Sequence, residues 1–238
     1  MGGSVTSVRE LEARYYTNHV DDHAVFDATI RRYLRREAVI LDAGAGRGLR
    51  YPYDYGEAVA RVVGVDTDPE VAHNPSLDDA VVADLSHLPF ADRTFDLVFS
   101  RYVVEHLTRP LATFRELHRV MKPGAHLLFQ TPNRYHYVAV GAMLTPHRFH
   151  VWFNERRGRV QGDTFPTRYR ANDRRTLRRM AANSGFSVVA LEMIEPKPDY
   201  LFFHPLAYRV GIAYERLVDS TPRLADLRCV IVADLEAV

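Results

Sequence analysis

The period of the apolar positions changes along the chain, and each change marks an element. VILDAG, VVGVDT, VVADLS, FDLVFS and HLLFQTP are short, nearly unbroken apolar runs that end in small or acidic residues. Such runs suit strands covered on both faces of a parallel sheet. They predict strands near 39 to 43, 62 to 66, 80 to 84, 95 to 100 and 125 to 131. Between them the apolar spacing turns helical, most clearly from Pro110 to Met121, where Leu111, Phe114, Leu117, His118 and Met121 share one face. A helical stretch from Thr6 to about Arg36 precedes the first strand and carries Leu11, Tyr15, Val25, Phe26, Ile30, Tyr33 and Leu34. Alternating β and α elements predict an α/β, doubly wound sheet that binds its ligand beyond the C-terminal ends of the strands.

After Pro132 the regularity lapses until Asn172, where an N-cap opens a helix that runs to about Ser184 and is closed by Gly185. FSVVALEMI then reads as a strand, Pro205 to Val218 as an aromatic helix, and LRCVIVADL as a last strand. The chain is expected to form one domain over 1–238. It divides into a helical cover (6–36), a cofactor-binding core (37–133), two acceptor-side insertions (134–171 and 195–226), and segments completing the sheet (172–194 and 227–238).

A chain of 238 residues holds one large α/β domain, with room for a grafted cap. Hydrophobic residues at 47% and charged residues at 26% exclude a disordered or disulfide-dense protein. The one cysteine, Cys229, stands beside Val230, Ile231 and Val232; it reads as a buried structural thiol and fits a cytoplasmic location. No apolar stretch reaches the roughly 18 residues of a membrane span, and no signal pattern opens the chain. MGGSVT matches an N-myristoylation pattern but reads as a flexible start. A net charge of +1 gives no whole-protein field to attract nucleic acid, which argues against it as a partner.

The chemistry begins at VILDAGAGRG, where Gly44, Gly46 and Gly48 follow a strand and precede a predicted helix. Glycine allows a tight turn and close approach of backbone to ligand, yet dehydrogenases, kinases and plain turns all use it. Asp66, at the end of the next strand and 20 positions after Gly46, suits the hydroxyls of a ribose. Asp42, just before the glycines, and Asp84, at the end of the third strand, discriminate further, because nicotinamide enzymes need neither. An N-cap or turn role at a strand end is the plainer reading of both.

Taken in order, DAGAGRG, GVDTDP, ADLSHLPFADRTFDLVFS and LHRVMKPGAHLLFQTPN resemble the blocks of the class I S-adenosylmethionine-dependent methyltransferase family, in its small-molecule and quinone-type branch. The resemblance covers residues 39 to 131. It implies a Rossmann-like, mostly parallel seven-stranded sheet with helices on both faces and an inserted acceptor-binding cap. It also implies S-adenosylmethionine as cofactor and methyl transfer to an oxygen, less readily a nitrogen, of a small or medium-sized acceptor such as a natural-product or glycan intermediate. An RNA or protein methyltransferase and a catalytically silent cofactor-fold binding module are the other readings. By the resemblance Gly44, Ala45 and Gly46 line the methionine moiety, Asp66 with Thr67 the ribose, and Asp84 with Leu85 the adenine, while Asp42 orients the amino end. Ser100 and Arg101 close the site at the fourth strand, and Tyr15 or Tyr16 either covers the cofactor or packs in the core.

Orienting two reactants is worth about 7 to 11 kcal/mol, and a positioned base adds about 10² to 10⁴ fold. Histidine suits the base, having an unperturbed pKa near 6.5. His106 in SRYVVEHL is either that base or a helix-start histidine bonded to backbone. His136, His147 and His150 follow the fifth strand, in a region resembling the acceptor-binding part of related enzymes. Some relatives bind a divalent metal through E-x-x-E-H; here Tyr102 takes the first position, with Glu105 and His106 retained, so no metal is expected.

From Arg134 to Ala171 seven arginines stand against two acidic residues and interleave with Tyr135, Tyr137, Phe149, Trp152, Phe153, Phe165 and Tyr169. That mixture suits an anionic or conjugated acceptor; it equally suits a cap with an aromatic core and solvated arginines, or RNA. The later insertion offers Tyr200, Phe202, Phe203, Tyr208 and Tyr214 for a pocket wall, a homodimer contact or a lipid-like substrate.

Overall fold

A computed structural model describes residues 7–17, 21–49, 51–144 and 166–238. MGGSVT, His147, His150, Phe149, Trp152, Phe153 and Phe165 lie outside them. Seven strands form one sheet: β1 (Val39–Ala43), β2 (Arg61–Asp66), β3 (Asp79–Val82), β4 (Phe95–Arg101), β5 (Met121–Pro132), β6 (Phe186–Ile194) and β7 (Val230–Ala237). Their spatial order is β3-β2-β1-β4-β5-β7-β6. β1 to β5 pair in parallel, and β7 runs antiparallel between β5 and β6. The expected strands are all present, although β3 ends at Val82 and leaves Asp84 beyond it.

Side chains alternate between the two faces of each strand, and both faces are covered. On one face Leu41, Val63, Val98, Leu127 and Ile231 meet α3 (Pro110–Val120) and α5 (Arg174–Ala182) through Phe114, Leu117, Leu177 and Ala181. On the other, Ile40, Val62, Leu97 and Leu128 meet Phe26 and Ile30 of α2 (Asp22–Arg31). Burying such side chains contributes about 1.5–3 kcal/mol each.

The helices begin where their capping residues dictate. Asp173, N-cap of α5, accepts from the Thr176 amide at 2.8 Å, and Asp21, N-cap of α2, accepts from His23. The N-terminal stretch is broken into α1 (Val8–Tyr15) and α2. Ser7 and Glu10 bond each other's amides at the start of α1. α1 packs Val8 and Leu11 on Tyr208 and Ile212 of α6 (Pro205–Ser220), while α4 (Tyr137–Leu144) follows β5.

The helix expected after the glycine loop is absent among the described residues; a short 3-10 turn at Gly56–Ala58 stands there instead. Pro52 and Gly56 disfavour a helix, and the intervening tyrosines pack flat. Tyr53 stacks on Tyr55 at 4.6 Å and meets Phe99 edge-on at 5.2 Å, so these rings join α2 in covering the sheet.

Candidate active site

The C-terminal ends of β1, β2 and β3 lie side by side, because the Gly44 amide donates to Val65 O at 2.8 Å and the Ala83 amide to Asp66 O at 3.0 Å. The loop between them adopts left-handed backbone at Gly44 (φ 86°), Gly46 (φ 50°) and Gly48 (φ 70°), a region glycine reaches without steric cost. The three glycines then differ. A Cβ on Gly44 would stand 2.3 Å from Val103, and one on Gly48 2.2 Å from Asn74, so these two serve close packing. A Cβ on Gly46 would meet nothing nearer than Asp66 Oδ2 at 4.0 Å. Gly46 therefore leaves open space over the loop.

Asp66 closes β2 and faces this loop: Oδ2 accepts from the Gly46 amide and Oδ1 from the Asp68 amide, both at 2.9 Å. Thr67 beside it is exposed. Asn74, which the sequence reading overlooked, is 6% exposed and donates to the carbonyls of Ala45 and Gly46. An asparagine directly after a proline-started turn, just past the second strand, is the signal that could have found it. Asp84 is exposed; Ser86 donates to it from both backbone and hydroxyl, which holds its carboxyl below the usual range. Leu85 turns inward and, with Ser100, Val103, Val104, Leu107 and Phe114, lines a narrow apolar cavity beside the end of β4.

Asp42 is 5% exposed, and burial pushes its carboxyl up to about 7 against the opposing bond from the Tyr53 hydroxyl at 2.7 Å. Ser100 donates to Ala43 O at 2.7 Å and ties β4 to the root of the loop. Arg101 reaches away from the loop: it donates to Tyr55 Oη at 3.0 Å, lies 3.7 Å from Asp27 and covers the Phe26 ring.

Tyr16 packs against α6. Its hydroxyl donates to Glu215 at 2.8 Å and its ring sits edge-on to Tyr208, which joins α1 to α6.

His106 follows β4 in a 3-10 turn, Val104–His106. Its Nδ1 lies 3.1 Å from Pro166 O, which makes Nδ1 the protonated nitrogen and Nε2 the basic one. Burial lowers its pKa, so the imidazole is neutral at pH 7. Glu105, 4% exposed, accepts from Thr131 Oγ1 at 3.0 Å and stands 3.8 Å from His106 Nε2. His136 differs: it is 2% exposed, its Nε2 lies 3.1 Å from Glu195, and its Nδ1 accepts from the Val138 amide. Both nitrogens are engaged, and His136 ties the start of α4 to the end of β6.

A family model for a methyltransferase domain matches residues 14–191, well over half of the chain. The chain belongs to this family, the class I S-adenosylmethionine-dependent methyltransferases. It is 36% identical over 92 residues to a demethylmenaquinone methyltransferase of Chlamydia trachomatis, covering 37% of this chain and 40% of that protein. With a malonyl-[acyl-carrier protein] O-methyltransferase of Coxiella burnetii it shares 37% identity over 135 residues, 54% of this chain and 47% of the relative. The chain thus spans about two fifths to one half of the length of these curated relatives. In fold it is similar to an S-adenosylmethionine-dependent methyltransferase from Mesorhizobium loti (TM-score 0.54, 18% identity, 88% of this chain and 96% of that one). The geranyl diphosphate C-methyltransferase of Streptomyces coelicolor, solved with S-adenosylhomocysteine, gives a TM-score of 0.54 at 15% identity over 91% of this chain and 78% of that one. The open space over Gly46 and the acceptor oxygens of Asp66 fit such a cofactor, whose ribose hydroxyls need hydrogen-bond acceptors.

Proposed function

We propose that this enzyme methylates an oxygen of a small acceptor, with His106 receiving the acceptor's proton. The observation that carries the proposal is the fixed tautomer of His106: a neutral imidazole whose Nδ1 is committed to Pro166 O, with Nε2 as its basic nitrogen, next to the end of β4. In the cofactor site Asp66 and Thr67 hold the ribose, Asp84 with Leu85 the adenine, and the backbone of Gly44, Ala45 and Gly46 the methionine moiety, while Asp42 orients its amino end. When bound, S-adenosylmethionine supplies a methyl group made electrophilic by its sulfonium. The protein's share is alignment and exclusion of water, worth about 7 to 11 kcal/mol where reactants are well oriented; Leu85, Val103 and Phe114 supply the apolar side of the site.

Calorimetry with S-adenosylhomocysteine and transfer of label from S-adenosylmethionine into the small-molecule fraction of a cell extract test the reading. We expect His106→Ala to lower turnover at saturating cofactor by about 10² fold and the label to reside on oxygen. Parental turnover in the variant, or label on carbon, would overturn the assignment.

A further inference from the structure

A second polar cluster lies at the C-terminal edge of the sheet, on the α2 side. Asp22 opens α2 and is 6% exposed. Its Oδ2 accepts from the Tyr102 hydroxyl at 2.8 Å and from the Gln130 amide, and that hydroxyl also accepts from Gln130 Nε2 at 3.2 Å. These bonds decide which way the amide faces: its nitrogen must point at the carboxylate, so Oε1 points away. Gln130 is 0% exposed, yet Oε1 has no partner among the described residues, and neither has the buried Nδ1 of His23. Native proteins leave few buried polar atoms unpaired, and each such atom calls for a reason.

The surroundings supply one. The His23 ring lies 4.6 Å from Tyr51 and 5.7 Å from Tyr102, whose own rings stack at 5.7 Å. Tyr51 comes three residues after Gly48, and Tyr102 immediately precedes the Val103 that packs on Gly44, so both flank the cofactor loop. Tyr102 holds a left-handed backbone, φ 55°, which a bulky residue rarely adopts and which tends to persist where function requires it.

We infer that Gln130 Oε1 and His23 Nδ1, held in place by Asp22 and Tyr102, form an anchor for a hydroxyl group of the acceptor, separate from the oxygen that is methylated. An amide oxygen has only lone pairs to offer, so the ligand must bring a proton. A histidine nitrogen either donates or accepts, and a hydroxyl, with one proton and two lone pairs, suits either atom. The four residues position the acceptor and make or break no bond. The inference rests on the methyl-transfer reading above.

Its test uses the full chain, labelled S-adenosylmethionine at saturation and the small-molecule fraction of a cell extract in serial dilution. We expect Gln130→Met and His23→Phe each to raise the extract concentration for half-maximal labelling by about tenfold, the effect of losing a hydrogen bond in a buried site. The plateau and the calorimetric affinity for S-adenosylhomocysteine should stay within about twofold of the parent. Unchanged half-saturation in both variants, or a fall in the plateau alone, overturns the anchor while leaving the methyl-transfer reading intact. A parent that binds S-adenosylhomocysteine but labels nothing removes both. If Gln130→Met does not fold, His23→Phe on the partly exposed start of α2 decides the question.

Discussion

The two sides of the sheet's C-terminal edge are built by different means. At β1 and β2 the site is a backbone construction: three left-handed glycines, two amides that donate to Val65 O, and a carboxylate and an asparagine that fasten the loop. Across β4 and β5 the side we assign to the acceptor is made of side chains from segments far apart in the chain, with Asp22, Tyr102 and Gln130 joined around one carboxylate oxygen. A cradle of backbone fits what every member of a family binds. An anchor of side chains can be changed residue by residue without disturbing that cradle, which is where differences between acceptors belong.

The sharpest way to break this comparison is to fill the cradle. Gly44→Ala adds a left-handed penalty of about 1–2 kcal/mol to an overpacking cost of about 1–3 kcal/mol, because its Cβ would meet Val103. A denaturant titration should register both. Gly46→Ala should carry the first cost alone and lose cofactor affinity instead, since its Cβ enters open space. Equal destabilisation by the two would mean that the loop tolerates neither for packing reasons and that the open space is not a ligand's.

Next in size is Asp66→Ala, which removes a charged hydrogen-bond acceptor and should weaken S-adenosylhomocysteine about 10 to 100 fold in calorimetry, the equivalent of about 1.5–3 kcal/mol. Parental affinity would show that the ribose lies elsewhere. The smallest effect concerns Asp42, whose carboxyl titrates at about 7 in the folded chain against about 3.9 unfolded. The folded state therefore holds a proton the unfolded state has released, and stability falls as pH rises from about 4 to about 7. Asp42→Asn should flatten this slope and raise the thermal midpoint at pH 8 by roughly 2–4 °C. A steeper slope in the variant would reverse the sign argued for burial.

How much of this was legible in the sequence divides along the same line. β1, β2 and β4 announce themselves as apolar runs, and the glycines with Asp66 follow at local spacings, so the cradle could be read directly. The segment from Tyr51 to Tyr55 could not: it occupies the position of a helix, yet its rings bury better than they wind, and that preference depends on Phe99 and α2 lying opposite. Gln130 gave a faint signal as a polar residue within HLLFQTP, but its partner is 108 positions away and only the docking of α2 supplies it. Tyr16 and His136 showed only their residue types in the sequence; their contacts with Glu215 and Glu195, 199 and 59 positions away, come from tertiary packing.

The antiparallel β7 has a consequence for the order in which the molecule assembles. β6 pairs only with β7 among the described strands, and β7 is translated last of the seven. On the ribosome, β1 to β5 can zip together while the rest of the chain is still being made, since domains begin to fold during synthesis. FSVVALEMI must wait as an unpaired ribbon until residues 230–237 emerge and thread between it and β5. The glycine-lined cradle is thus complete early in the protein's life, and the far edge of the sheet closes only with β7.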